Sequence, residues 1–223
     1  MNRGPLIFAG ILLAMGTAWC GLIFAPHLQL GALQPAPSVG ISSALYPTRL
    51  EGRSQQGAEV YRSLGCAHCH SQNVRGNVAD LSRWGPRRTV SRDYLYDEPP
   101  LPGTLRIGPD LSNAGARQPD AAWHLAHLYQ PRSKVVKSLM PPYPFLFEVR
   151  KIGEAPSPKA LRLESPYAPP EGFEVVPKHE AEVLVAYLLD RKKSVALFEA
   201  PMPSSLKKEE AGATNAPTGA VAP

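Results

Sequence analysis

Cys66-Ala67-His68-Cys69-His70 decides the reading of this chain. Two cysteines two residues apart, with a histidine directly after the second, form the attachment signature of a c-type haem. Each thiol adds to one vinyl group of the porphyrin, and the adjacent imidazole is held under the iron as proximal ligand. The motif occurs once, so one covalently bound haem c is expected, carried by Cys66, Cys69 and His70. The competing readings are a zinc half-site and a redox dithiol. A structural zinc site needs about four Cys or His ligands at ordered spacings, and no second cysteine pair exists. A thioredoxin-like site needs a βαβ pattern around the dithiol, whereas the flanks here read as a helix followed by a Gly/Pro/Arg-rich loop.

The third cysteine, Cys20, stands in an uncharged run from Leu6 to Ala25. A helix of roughly twenty apolar residues crosses a bilayer core. The rival is a cleaved signal peptide, but Ile23 and Pro26 around Ala25 make a poor cleavage site. Residues 1–26 are therefore expected to be a retained single-span anchor in the lipid bilayer. Trp19 before Cys20 fits a lipidation signal badly, so Cys20 reads as a small apolar residue of the span. Arg3 precedes the run, and the next Lys or Arg is Arg49. The positive-inside rule then keeps the N-terminus in the cytoplasm and exports the rest. That gives a single-pass protein of the bacterial cytoplasmic membrane with a periplasmic domain.

The remaining chain divides into a linker, 27–50, a globular domain, 51–200, and a Pro/Ala/Gly-rich tail, 201–223, expected to be disordered. The net charge of +5 comes from residues that look scattered along the sequence, so nucleic-acid binding is not expected. Twenty-five prolines, many of them in Pro86–Pro109 and Pro156–Pro177, point to a small helical domain with long ordered loops.

Three helices are predicted. Ser54–Leu64 places Gly57, Val60, Tyr61 and Leu64 on one face and runs into the Cys66 motif. Asp120–Tyr129 sets Trp123 and His127 one turn apart and ends before Pro131. His179–Lys193 starts after Pro177, has Glu180 and Glu182 in its first turn, and closes on Arg191 to Lys193.

A helix leading into the motif and crossed by a C-terminal amphipathic helix resembles the class I cytochromes c, which implies an all-α fold. In that family the sixth ligand lies on a loop before the last helix. Met140, followed by Pro141, Pro142, Tyr143 and Pro144, occupies that place, and Met202 does not. The rival sixth ligands are His68, His124, His127 and His179. The resemblance also implies that Pro109, in Gly108-Pro109-Asp110-Leu111, accepts the Nδ1–H of His70, a bond that fixes the ring. Arg75, shortly after the motif, is a candidate partner for a haem propionate, with a solvent-facing arginine as the alternative.

A closer resemblance runs from Gly57 to Pro144. Cys66-Ala67-His68-Cys69-His70-Ser71-Gln72, Arg75, Tyr96-Asp97, Gly108-Pro109-Asp110-Leu111, the Trp123-to-Arg132 run and Met140-Pro141-x-Tyr143-Pro144 resemble the mono-haem subunit of cbb3-type cytochrome c oxidases. The chain departs from that family's pattern at Asn73-Val74-Arg75-Gly76, Trp84-Gly85-Pro86-Arg87 and Glu98. The resemblance implies a non-catalytic subunit with one haem and ligands His70 and Met140. It would relay electrons to a haem–copper catalytic subunit, beside other cytochrome c subunits, in aerobic respiration. The cytochrome subunit of a nitric oxide reductase and a free membrane-tethered electron shuttle are the competing functions.

Overall fold

A computed structural model describes residues 3–39 and 44–202. Most of the expected tail, from residue 203 onward, lies outside the described residues.

The chain begins with one helix, α1 (Gly4–Leu30), long and apolar enough to cross a membrane. Its turn at Cys20–Phe24 widens to π geometry, with Ala25 N–H donating to Cys20 O. Pro26 has no N–H to continue the regular ladder, and a π turn absorbs that gap. Cys20 sits exposed on this helix. Its last turn leads to a short ribbon of β1 (Ala36–Pro37) and β2 (Leu45–Tyr46).

The domain is built on two crossed helices, α2 (Gly52–Ser63) and α6 (His179–Asp190). Helix α2 stops where Gly65 turns left-handed at φ 69°, a conformation glycine adopts without strain. It buries Ser54, Gly57 and Tyr61 against α6. Gly57 makes the crossing possible: a Cβ there would overlap the Val183 carbonyl oxygen and crowd Tyr187 Cβ. The Ser54 hydroxyl donates to Asp190 at the far end of the same crossing. Tyr61 and Tyr187 pack with ring centroids 5.3 Å apart, and Tyr187 Oη accepts from Gln72 Nε2 at 2.9 Å. Leu128, Leu146, Phe147, Val175, Leu184 and Leu188 complete the core.

Three further helices pack around this pair: α3 (Val78–Trp84), α4 (Ala114–Arg117) and α5 (Ala121–Tyr129). Asn77 caps α3 by accepting from Asp80 N–H at 2.9 Å, and Asp120 caps α5 by accepting from Ala122 N–H at 2.8 Å. These caps satisfy backbone donors that the first turn leaves free. Both helices are short and lie between Val74 and Gln118, a stretch read from the sequence as loop.

The all-α expectation is corrected by two small antiparallel sheets. Besides the β1–β2 ribbon, β3 (Phe147–Lys151) pairs with β4 (Phe173–Pro177). Phe173-Glu174-Val175-Val176 has the β-branched and aromatic content that fits a pleated surface. Pro177 at its end and the prolines upstream gave the segment the appearance of loop. The hairpin lays Phe147 and Val175 into the core beside α6. Helix α6 ends at Asp190, so Arg191 to Lys193 continue past it in extended form.

Those residues form a buried charge cluster. Asp97 accepts from Arg191 Nη1 at 3.2 Å and from Lys193 Nζ at 3.3 Å. Lys193 also lies over the Tyr94 ring, 3.6 Å from its centroid. A second buried pair joins Arg87 to Asp93 through two hydrogen bonds of 2.9 and 2.7 Å. Arg87 Nε donates to Val195 O, and Tyr46 Oη donates to Asp93 at 2.7 Å. The linker, the proline-rich loop and the segment after α6 are thus pinned at one guanidinium–carboxylate pair.

Two outcomes follow from these packings. Gly57→Ala must push α2 away from α6, and overpacking of this kind costs about 2–3 kcal/mol; urea unfolding of the domain measures it. Burial pushes the Lys193 ammonium down to about 8 from its ordinary 10.5. Above pH 8 the folded chain then binds fewer protons at this site than the unfolded chain. The resulting contribution is complete above 10.5 and gone once pH falls through about 8. Lys193→Met leaves Asp97 paired with Arg191, so it should be at least as stable as wild type at pH 7. Its advantage should shrink by pH 10 in paired denaturant melts.

Candidate haem-attachment site

Cys66–His68 form a single 3₁₀ turn directly after Gly65. Cys69 N–H and His70 N–H both donate to Cys66 O, at 3.1 and 2.9 Å. Residues three and four apart on one helical turn share a face, so the turn sets Cys66, Cys69 and His70 on one side. Cys66 is half-buried and Cys69 exposed, both as free thiols. Burial pushes the Cys66 thiol up to about 11. A redox dithiol needs the opposite, a lowered thiol pKa.

His70 Nδ1 lies 2.8 Å from Pro109 O. With Nδ1–H donating to that carbonyl, Nε2 is left as the metal-binding nitrogen. Burial lowers the His70 pKa, partly opposed by the Pro109 bond and the charge of Asp110. Gly108 stands against the imidazole, where a Cβ would overlap the ring. The loop that carries Pro109 is held by its next residue. The buried Asp110 carboxylate accepts from Ser71 Oγ at 2.6 Å, Asn73 N–H at 2.8 Å and Ser112 N–H at 2.9 Å. Arg106 reinforces the loop from outside, donating to Ser71 Oγ at 2.7 Å and to Asp80 at 2.8 Å.

The opposite wall comes from α5 and the loop after it. Tyr143 N–H donates to Leu128 O at 2.9 Å, which ties the proline-rich loop to the end of α5. Met140 is half-buried and belongs to the apolar cluster that includes Leu64, Cys66, Ala67, Leu101, Leu111, Leu125 and Tyr143. His127 stacks on Trp123 with centroids 4.7 Å apart, and its buried Nδ1 has no hydrogen-bond partner. Burial, with the charges of His124 and His70, pushes the His127 pKa down to about 4. His124 Nε2 is engaged with Gln118 O at 2.8 Å, and His179 with Gln56 at 3.0 Å.

The structure groups Cys66, Cys69 and His70 on one turn and sets His70 against Pro109, while Met140 and Cys66 both pack against the apolar core. Arg75 makes none of these contacts. Arg75 is exposed, and its tie is a backbone N–H donating to Asp80 at 2.9 Å. The cation beside the His70 pocket is Arg117. Its charge acts on His70, its guanidinium lies over Trp84 at 5.0 Å, and it donates to Asp110 O. The charge of Asp110 also acts on it. Sequence reading missed Arg117, because Trp84 and His70, the groups it meets, lie far from it in sequence. Arg106 was missed too, because its partners Ser71 and Asp80 lie far from it in sequence.

These residues fit a porphyrin. Two thiols, one imidazole with its second nitrogen already engaged and a thioether packed against the apolar core are the groups such a cofactor needs. Among the described residues no group of three or more His, Cys, Asp or Glu could hold a metal ion.

A mostly helical, cytochrome-like domain behind one long apolar helix is the class that the fold and the Cys66–His70 turn define. A family model described as Cytochrome C oxidase, mono-heme subunit/FixO matches residues 37–188, more than half of the chain, and the chain belongs to that family. No curated protein gives a significant match.

Gly108→Ala should displace the imidazole from Pro109 while leaving the crossed helices in place. The expected result is loss of the slowly exchanging His70 Nδ1–H resonance in NMR spectra with native helical circular dichroism; retention of that resonance would contradict the geometry.

Proposed function

We propose that this chain is a membrane-anchored mono-haem cytochrome c that relays electrons to the haem–copper catalytic subunit of a cbb3-type cytochrome c oxidase. Cys66 and Cys69 would hold one haem c through thioethers, with His70 and Met140 as axial ligands. The single observation that carries this is the 2.8 Å contact between His70 Nδ1 and Pro109 O, one residue after the turn that groups both cysteines with the histidine.

When bound, the haem supplies a one-electron couple, and a methionine ligand raises its potential. The protein residues do the rest. Pro109 and Asp110 orient His70. Leu64, Leu101, Leu111 and Leu125, packed against the apolar core, would add to the apolar surroundings of the haem. Arg117 is the better partner for a propionate carboxylate, because it stands near His70, whereas Arg75 is exposed and tied to Asp80 through its backbone. If His70 and Met140 both held the iron, no position would be left for oxygen, and the chain would serve as a relay. The α1 helix would span the bacterial cytoplasmic membrane with its N-terminus inside, leaving the haem domain in the periplasm.

The nitric oxide reductase reading is disfavoured by the family match, and the free shuttle by the long ordered extension between Val74 and Gln118. Purification in mild detergent separates them: haem b and copper should co-purify, whereas haem b with non-haem iron would point to the reductase and no partner to a shuttle. The ligand assignment has its own test. Met140→Leu should abolish the near-infrared sulfur-to-iron charge-transfer band of the ferric protein, and Met202→Leu should leave it. A band that survives Met140→Leu removes Met140 as ligand.

A further inference from the structure

The face that carries the Met140 loop holds cations that the chain itself leaves unpaired. From Ala121 to Phe147 the sequence has no Asp or Glu, and it includes Arg132, Lys134 and Lys137. All three are exposed, and none has an ion-pair partner among the described residues. Many cations elsewhere on the domain do meet a carboxylate: Arg92 meets Glu199, Arg106 meets Asp80, and Arg150 meets Glu174. Lys178 joins the same face, its Nζ donating to Phe145 O at 2.9 Å. The acids that flank these segments in sequence, Asp120, Glu148 and Glu180, are all exposed, and none of them forms an ion pair with Arg132, Lys134, Lys137 or Lys178 among the described residues.

Between these cations the surface is apolar. Val136 and Leu139 are each 84% exposed, and Phe145 is 55% exposed. Side chains of this type left almost fully in water mark a contact surface rather than a core. Leu139 adjoins Met140, which, like Cys66, Ala67 and Tyr143, packs against the apolar core. The patch therefore adjoins the proposed ligand Met140, where electrons would enter or leave. An apolar centre with a charged rim fits a brief encounter, in which charge guides approach and the apolar centre sets the docked pose.

We propose that this face docks an acidic electron-donor protein, which would present its own redox centre to the haem across the Met140 loop. The proposal rests on the haem reading above. It commits to a partner of opposite charge because four cations on one face attract carboxylates over distances that apolar contact cannot reach.

The test uses the full-length holoprotein in mild detergent and stopped-flow electron transfer. Reduced flavodoxin serves as the acidic probe and a reduced basic cytochrome c as the probe of opposite charge. The second-order rate with flavodoxin should fall about tenfold as salt rises from about 10 mM to about 150 mM, where the screening length drops from about 30 Å to about 8 Å. Lys134→Glu/Lys137→Glu should lower that rate about tenfold at low salt, a loss within the range of electrostatic steering. Its haem spectrum and midpoint potential should stay at wild-type values, and the basic probe should react faster. Lys151→Glu/Lys192→Glu, placed elsewhere, should leave the flavodoxin rate unchanged.

A flavodoxin rate that ignores Lys134→Glu/Lys137→Glu overturns the proposal. So does protection of Lys134 and Lys137 from acetylation in the intact complex but not in the separated subunit, since a resident subunit would then cover the face. Failure of the haem reading shows separately, as a protein with no pyridine haemochrome spectrum before any rate is measured.

Discussion

Helices α2 and α6 touch because Gly57 has no side chain. The carbonyl of Val183 and the Cβ of Tyr187 occupy the space a Cβ would need. That approach seats the Tyr187 ring against Tyr61 and sends its hydroxyl to Gln72, two residues beyond His70. The turn that bears Cys66, Cys69 and His70 is thereby held from both ends, by α2 before it and by Gln72 after it. A close crossing of two short helices buries little area on its own. Its value lies in the rigid platform it makes for a ligand turn that must not shift.

The loop under His70 shows how charge substitutes for apolar packing where the chain is rich in glycine and proline. Gly108 leaves room for the imidazole, and Pro109 supplies a carbonyl with no competing donor of its own. Neither residue anchors the loop. Asp110 does so, because a buried carboxylate is tolerable only when its oxygens are filled. Ser71, Asn73 and Ser112 fill them. Arg106 then ties this loop to α3 through Asp80. The orientation of one imidazole thus depends on a network that reaches the long extension after the motif.

That extension also carries Arg87, which is fully buried against Asp93. A buried guanidinium needs several acceptors at once, and it finds Asp93, Arg88 O and Val195 O. The pair fastens segments before and after the crossed helices, so the long loops are ordered by a few multivalent polar contacts. Arg132, Lys134 and Lys137, by contrast, are exposed and have no ion-pair partner among the described residues.

Much of this was legible in the sequence. The attachment motif, the three amphipathic helices, the apolar N-terminal helix and the Gly-Pro turn all rest on residues close in sequence, where spacing and periodicity report geometry directly. The family resemblance built on those residues is the one the family match shows. The β3–β4 hairpin, α3, α4, Arg106, Arg117 and the approach of Lys178 to Phe145 were not legible. Tertiary structure decided them, because each depends on partners that folding brings together from distant positions: Ser71 and Asp80 for Arg106, Phe145 for Lys178, Phe147 for Pro177. Local chemistry specified what the ligand turn is, and long-range packing determined what surrounds it.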